Sequence, residues 1–108
     1  MRVLVAGPDP TDVGSSLADA GASIARLDGA ITSRVLTDAN VEDAQILIVT
    51  DPEEATGIPL ARELNPDIEV VVYADESVPP FASHIADLII DPAAISRSVL
   101  VEELLAEE

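Results

Sequence analysis

Cysteine is absent from this 108-residue chain, which excludes disulfides, thiolate metal sites and cysteine nucleophiles together. Lysine is absent as well. The five basic residues, Arg2, Arg26, Arg34, Arg62 and Arg97, are scattered arginines and make no basic stripe, so nucleic acid is not expected as a partner. Aromatic residues make up 2% of the chain, and His84 is the single histidine. No apolar run approaches the ~20 residues that span a bilayer. The first such run is short and opens a strand rather than a secretory signal. A soluble cytoplasmic protein is expected, with no membrane partner.

What is present is acid. Twenty-one Asp and Glu give a net charge of -16, while a hydrophobic content of 48% in regular runs excludes a disordered acidic chain. Like charges at this density repel across a small surface in dilute buffer, whereas in molar salt the screening length falls to ~3 Å. Together with small Ala and Val core candidates, the composition resembles proteins of halophilic archaea. That resemblance makes any single carboxylate a poor functional clue. An acidic partner-binding protein from an ordinary cell is the other reading of the same charge.

At this length a single domain, residues 1–108, is expected. Its grammar is strand, Asp-Pro, helix. Three apolar runs, Val3–Ala6, Ile46–Val49 and Leu88–Ile90, lead into Asp9-Pro10, Asp51-Pro52 and Asp91-Pro92. Asp is a strong N-cap and Pro suits the first helical position, so each pair is expected to open a helix. The first strand is placed at residues 2–7 and helix one at about Pro10–Ala20, with Val13 and Leu17 inward and Gly21 as the stop. Ala22–Asp28 carries Ser23 and Arg26, too polar for a central strand, and so belongs at an edge. Between Gly29 and Asn40 a short helix is capped by Thr32 or Ser33. Ala44–Val49 and Ile68–Tyr73 are central strands, joined by a helix with Glu54 at the capping-box position and a break near Gly57, because Pro59 cannot donate to Ala55. A short helix with Phe81 and Ile85 is expected after Pro79-Pro80, then a strand over Asp87–Ile90. A final helix recapped at Ser96 turns Leu100, Val101, Leu104 and Leu105 inward. The resulting fold class is α/β: a doubly wound, flavodoxin-like or Rossmann-like parallel sheet of five strands in the order 2-1-3-4-5.

The stretch from Val41 to Pro92 resembles the TrkA-N (RCK N-terminal) Rossmann domain of potassium-transport regulators. The resemblance rests on Val41-Glu42-Asp43-Ala44, Ile46–Thr50, Ala61-Arg62-Glu63-Leu64 and Ala86–Pro92. It implies a regulatory domain with weak nucleotide affinity where strands one and three diverge. In this chain the positions concerned are Gly7, Asp9, Thr11, Asp28, Thr50 and Asp51. The family's Gly-x-Gly-x-x-Gly is replaced by Gly7-Pro8-Asp9-Pro10-Thr11-Asp12, with an acid where the middle glycine admits a pyrophosphate. Asp28 matches the ribose-binding acid and is equally a turn residue before Gly29. The start Ala6-Gly7-Pro8-Asp9-Pro10 is also similar to short haloarchaeal proteins labelled CTP synthetase. The chain has neither a cysteine for a glutaminase half nor a Gly-Lys-Ser/Thr phosphate loop for that chemistry.

Response-regulator receivers share the 2-1-3-4-5 order and carry a phosphorylatable Asp where Asp51 stands. They also need an acidic pair after strand one and a lysine before Pro after strand five. Here those places hold Ala6-Gly7 and Asp91-Pro92, so the metal seat and charge clamp of phosphoryl transfer are missing and Asp51 reads as a cap. Ser83 and His84, adjacent on a helix, do not face one another and make no catalytic pair. The acids Asp9, Asp28, Asp51, Asp75, Glu76 and Asp91 share one sheet edge, either as caps and general acidity or as a seat for a hard cation. No catalytic residue and no specific cofactor is indicated. The leading reading is a non-enzymatic regulatory domain with residual nucleotide affinity. The alternative is a degenerate receiver-like interaction module, acting as a homodimer or on a larger protein.

Overall fold

The computed structural model describes residues 1–8, 12–27, 31–74 and 86–106. Five parallel strands form one sheet: β1 (Arg2–Ala6), β2 (Ser23–Leu27), β3 (Ile46–Val49), β4 (Glu69–Tyr73) and β5 (Leu88–Ile90), in the order β2-β1-β3-β4-β5. The expected fold class and strand order are therefore those observed. Strand residues point alternately to the two faces, and both faces are apolar because both are covered. Leu4, Ala6, Leu47, Val49, Val70 and Val72 pack on one side with Leu36 and with Ile58 and Ala61. Those partners come from α2 (Ser33–Asp38) and α3 (Ile58–Leu64). Val3, Val5, Ile46, Ile48, Val71 and Tyr73 pack on the other side with Val13, Leu17, Leu100, Val101 and Leu104. These belong to α1 (Val13–Asp19) and α4 (Arg97–Ala106). No polar or charged side chain is buried among the described residues.

Several helix ends follow the sequence. Thr32 Oγ1 accepts from the Val35 N–H at 3.1 Å and caps α2. After α1, Gly21 sits at φ +103, its N–H donating to Ala18 O while the Ala22 N–H donates to Leu17 O. That pair of bonds is a Schellman ending, which asks for a glycine at the left-handed position. Ser96 opens α4, with the Leu100 N–H on its carbonyl at 3.0 Å.

The Asp-Pro junctions behave differently from expectation. Asp9-Pro10 lies outside the described residues, and α1 begins at Val13, after a left-handed Asp12 (φ 56) that makes no side-chain cap bond. Asp51-Pro52 opens a 3-10 segment, Pro52–Gly57, rather than an α-helix, and α3 restarts at Ile58 with Pro59 in its first turn. The break near Gly57 was legible from Pro59. Asp91-Pro92 opens only a turn: Asp91 Oδ1 accepts from the Ala93 N–H at 2.8 Å, and its carbonyl takes the N–H groups of Ala94 and Ile95. Three residues of turn exhaust the cap, and α4 needs its own. The helix expected around Phe81 and Ile85, with Ser83 and His84, lies outside the described residues, as do Asp75 and Glu76.

Candidate functional site

At the carboxyl edge, β1 and β3 diverge, because the chain leaves one toward β2 and the other toward β4. Gly7, Thr50 and Asp51 meet there. Gly7 has φ +96, and a Cβ built on it would lie 2.9 Å from both Asp51 Cβ and Thr50 Oγ1. Glycine is required twice over, by conformation and by space. The Thr50 hydroxyl lies within hydrogen-bonding distance of the carbonyls of Ala6 (3.1 Å) and Pro8, and the Thr50 N–H donates to Ala6 O at 2.9 Å. The loop after β1 is thus tied directly to the end of β3. Of the other sequence-derived positions, Asp9, Thr11 and Asp28 lie outside the described residues.

Among the described residues at this edge, the acidic side chains are Asp51 and Asp91. Ala6 is buried and apolar and Gly7 carries no side chain, so neither offers a side-chain ligand to a cation. Asp91, at the end of β5, folds its carboxylate onto its own turn. No cluster of potential metal ligands occurs among the described residues. Glu54, expected at the capping-box position, also reaches beyond its own helix. Its Oε2 accepts from the Ile31 N–H at 3.1 Å, across to the connection between β2 and α2.

Three concavities lined by described residues lie elsewhere. A groove of about 380 Å3 runs between the β2 edge and α2, lined by Arg2, Arg26, Val35 and Asp38 among others. Arg2 is already committed there, its Nε and Nη2 donating to Ala39 O at 3.0 and 2.7 Å. A smaller one of about 130 Å3 sits around Asn40 and Val41. The third, about 380 Å3, is apolar and lies between β5 and α4, lined by Leu88, Ile90, Ile95, Val99 and Leu100 with Glu103 on its rim. Sequence reasoning passed over this last surface. Its signal was the unbroken apolar triplet Leu88-Ile89-Ile90 in a terminal strand, whose neighbours cover only part of it. No described helix is long and apolar enough to cross a membrane.

Comparison with solved structures gives receiver-like relatives across nearly the whole chain. An orphan response regulator of H. pylori is 20% identical, with TM-score 0.74 over 98% of this chain and 94% of that one. An atypical orphan response regulator, described as having a phosphorylation-independent regulatory mechanism, is 20% identical with TM-score 0.70 over 98% and 93%. A pilus assembly-related protein from Burkholderia pseudomallei is 18% identical with TM-score 0.68 over 98% and 87%. At these identities the likeness establishes the fold. A search of curated proteins returns no match.

These findings overturn the TrkA-N resemblance and the CTP synthetase label, together with the nucleotide-binding assignment that came with them. The physical reason is that the matched stretches are apolar strands and amphipathic helix ends. Any doubly wound sheet repeats these, whereas the glycine loop that distinguishes a dinucleotide site is the part this chain lacks. Over residues 3–104 the sequence matches the model of a family of unknown function, DUF7126, and the chain belongs to that family.

Proposed function

We propose that this protein is a receiver-like interaction module that works without a phosphorylation switch and docks a larger protein on the apolar edge formed by β5 and α4. The observation that carries the reading is where the exposed apolar surface gathers. Among the described residues, the large hydrophobics left in solvent are Leu88 (38% exposed), Ile89 (42%), Ile95 (37%) and Val99 (46%), all on β5, α4 or the turn between them. Leu88, Ile95 and Val99 line one apolar concavity together with Ile90, whereas Ile89 faces the other side of the sheet, and contiguous apolar surface of this kind marks an interaction site. The opposite edge strand, β2, carries exposed Ser23 and Arg26, the usual protection of a free strand. β5 has no such protection.

The rim favours a different protein over a second copy. Asp91 and Glu103 are exposed at this edge, so two copies would bring acid against acid. A partner with an apolar ridge flanked by arginine or lysine meets both features. Phosphorylation independence is supported by the missing acidic pair and lysine at Ala6-Gly7 and Asp91, and one relative is described in those words.

The test compares two variants in pull-downs from the source cell's own extract in molar potassium chloride, with partners identified by mass spectrometry. Wild type and Asp51→Asn should retain the same partner, and Val99→Asp should lose it. Loss in Asp51→Asn with retention in Val99→Asp overturns the reading. Self-association of the purified protein that Val99→Asp dissolves would replace the larger partner by a second copy.

A further inference from the structure

The crossover from β3 to α3 is held in an unusual form. Pro52–Gly57 runs six residues as a 3-10 segment, longer than the three or four residues such turns commonly reach at a helix terminus. Pro59 explains why 3-10 and α3 are separate, since an α-helix continuous from residue 52 would need a donor that Pro59 lacks. It does not explain why the segment rests where it does. That is decided at Ile31, in the connection between β2 and α2. Glu54 Oε2 accepts the Ile31 N–H at 3.1 Å. Gly57 presses against the same residue, so that a Cβ on it would lie 2.4 Å from Ile31 Cβ and 2.5 Å from Cγ2. Ile31 is buried in the core with Leu27, Leu36 and Val49, and the next residue, Thr32, caps α2. At its other end the segment begins on Asp51, whose carbonyl takes the Glu54 N–H at 2.9 Å.

We propose that Glu54 and Gly57 form a latch on Ile31 that locks the β3–α3 crossover to the head of α2, so that the loop carrying Asp51 is a fixed element of this fold rather than a switching one. The inference rests on the reading above of a module without a phosphorylation switch, and supplies its mechanical basis. Glu54 is a positioning residue. Moving the Asp51 loop requires breaking its charge-assisted bond to a backbone N–H and dislodging a core isoleucine at once, so the two connections shift together or not at all. Gly57 makes the close approach possible, and any larger residue there pushes the crossover off Ile31.

Amide hydrogen exchange, followed by NMR on the full chain in molar potassium chloride, tests the latch directly. The Ile31 N–H should be protected in wild type and in Glu54→Gln, whose side-chain oxygen still accepts. In Glu54→Ala its exchange should quicken about tenfold, the scale of one net hydrogen bond. Equal Ile31 exchange in wild type and Glu54→Ala overturns the proposal. Acetyl phosphate with magnesium should leave Ile31 protection unchanged, and loss of that protection also overturns it. Phosphoryl labelling of Asp51 with Ile31 still protected upholds the latch and overturns the phosphorylation-independent reading alone.

Discussion

Asp87 stands one residue before β5 and holds that strand to the sheet. Its Oδ2 accepts from the Val70 N–H at 2.7 Å and from Arg62 Nη2 at 2.7 Å, while its own N–H donates to Val70 O at 2.9 Å. Val70 is fully buried, and its N–H points to the β5 side before that strand begins, so the carboxylate stands in for a missing strand partner. Removing it strands a buried amide, at about 1–3 kcal/mol. The Arg62–Asp87 ion pair contributes less: the two side chains are 31% and 44% exposed, and a pair that open to water is worth ~0.2–1 kcal/mol. Asp87→Ala should therefore lose about 2–3 kcal/mol, and Asp87→Asn, which keeps an acceptor for Val70, only about 0.5 kcal/mol. Urea unfolding at fixed potassium chloride measures both. The small Asn loss should shrink further as salt rises, because it is Coulombic, whereas the Ala loss should persist. Equal losses for the two variants would refute the reasoning, since they would mean that the ion pair and not the backbone bond carries the interaction.

With a net charge of -16 and no lysine, the melting temperature should rise steeply from dilute buffer to molar potassium chloride, and equal values by calorimetry would count against adaptation to brine. Gly7→Ala should destabilise the fold by about 1–3 kcal/mol through its positive φ. The clash with Thr50 and Asp51 should add to this, and a chemical-denaturation midpoint equal to wild type would show that the two loops are not packed as described.

The fold was legible because its signals are local and repeated. Apolar runs at Val3–Ala6, Ile46–Val49 and Val70–Tyr73 can be buried on both faces only if helices cover both sides of a parallel sheet. Ser23 and Arg26 told which strand lies at an edge. Pro59 announced a break that the structure contains. The Asp-Pro pairs were less informative than they looked. Cap preference describes how a helix can start but not how far it runs, and Asp91-Pro92 yields one turn before Ser96 must begin again. The TrkA-N resemblance failed for a related reason, having matched the residues that doubly wound folds share.

Composition and pattern alone determined the sheet, its strand order, its acidic surface and the absence of a phosphate loop, because burial and charge sum over many residues. Tertiary structure alone decided what lies against what. The Glu54 carboxylate, three residues after Asp51, accepts from the Ile31 N–H, twenty-three positions away, and Gly7 closes on Thr50 and Asp51. Leu88, Ile95 and Val99, separated along the chain, form one uncovered surface only once β5 and α4 are set side by side. A side chain's partner depends on which backbones the whole fold brings within about 3 Å, a distance that spacing along the chain does not encode.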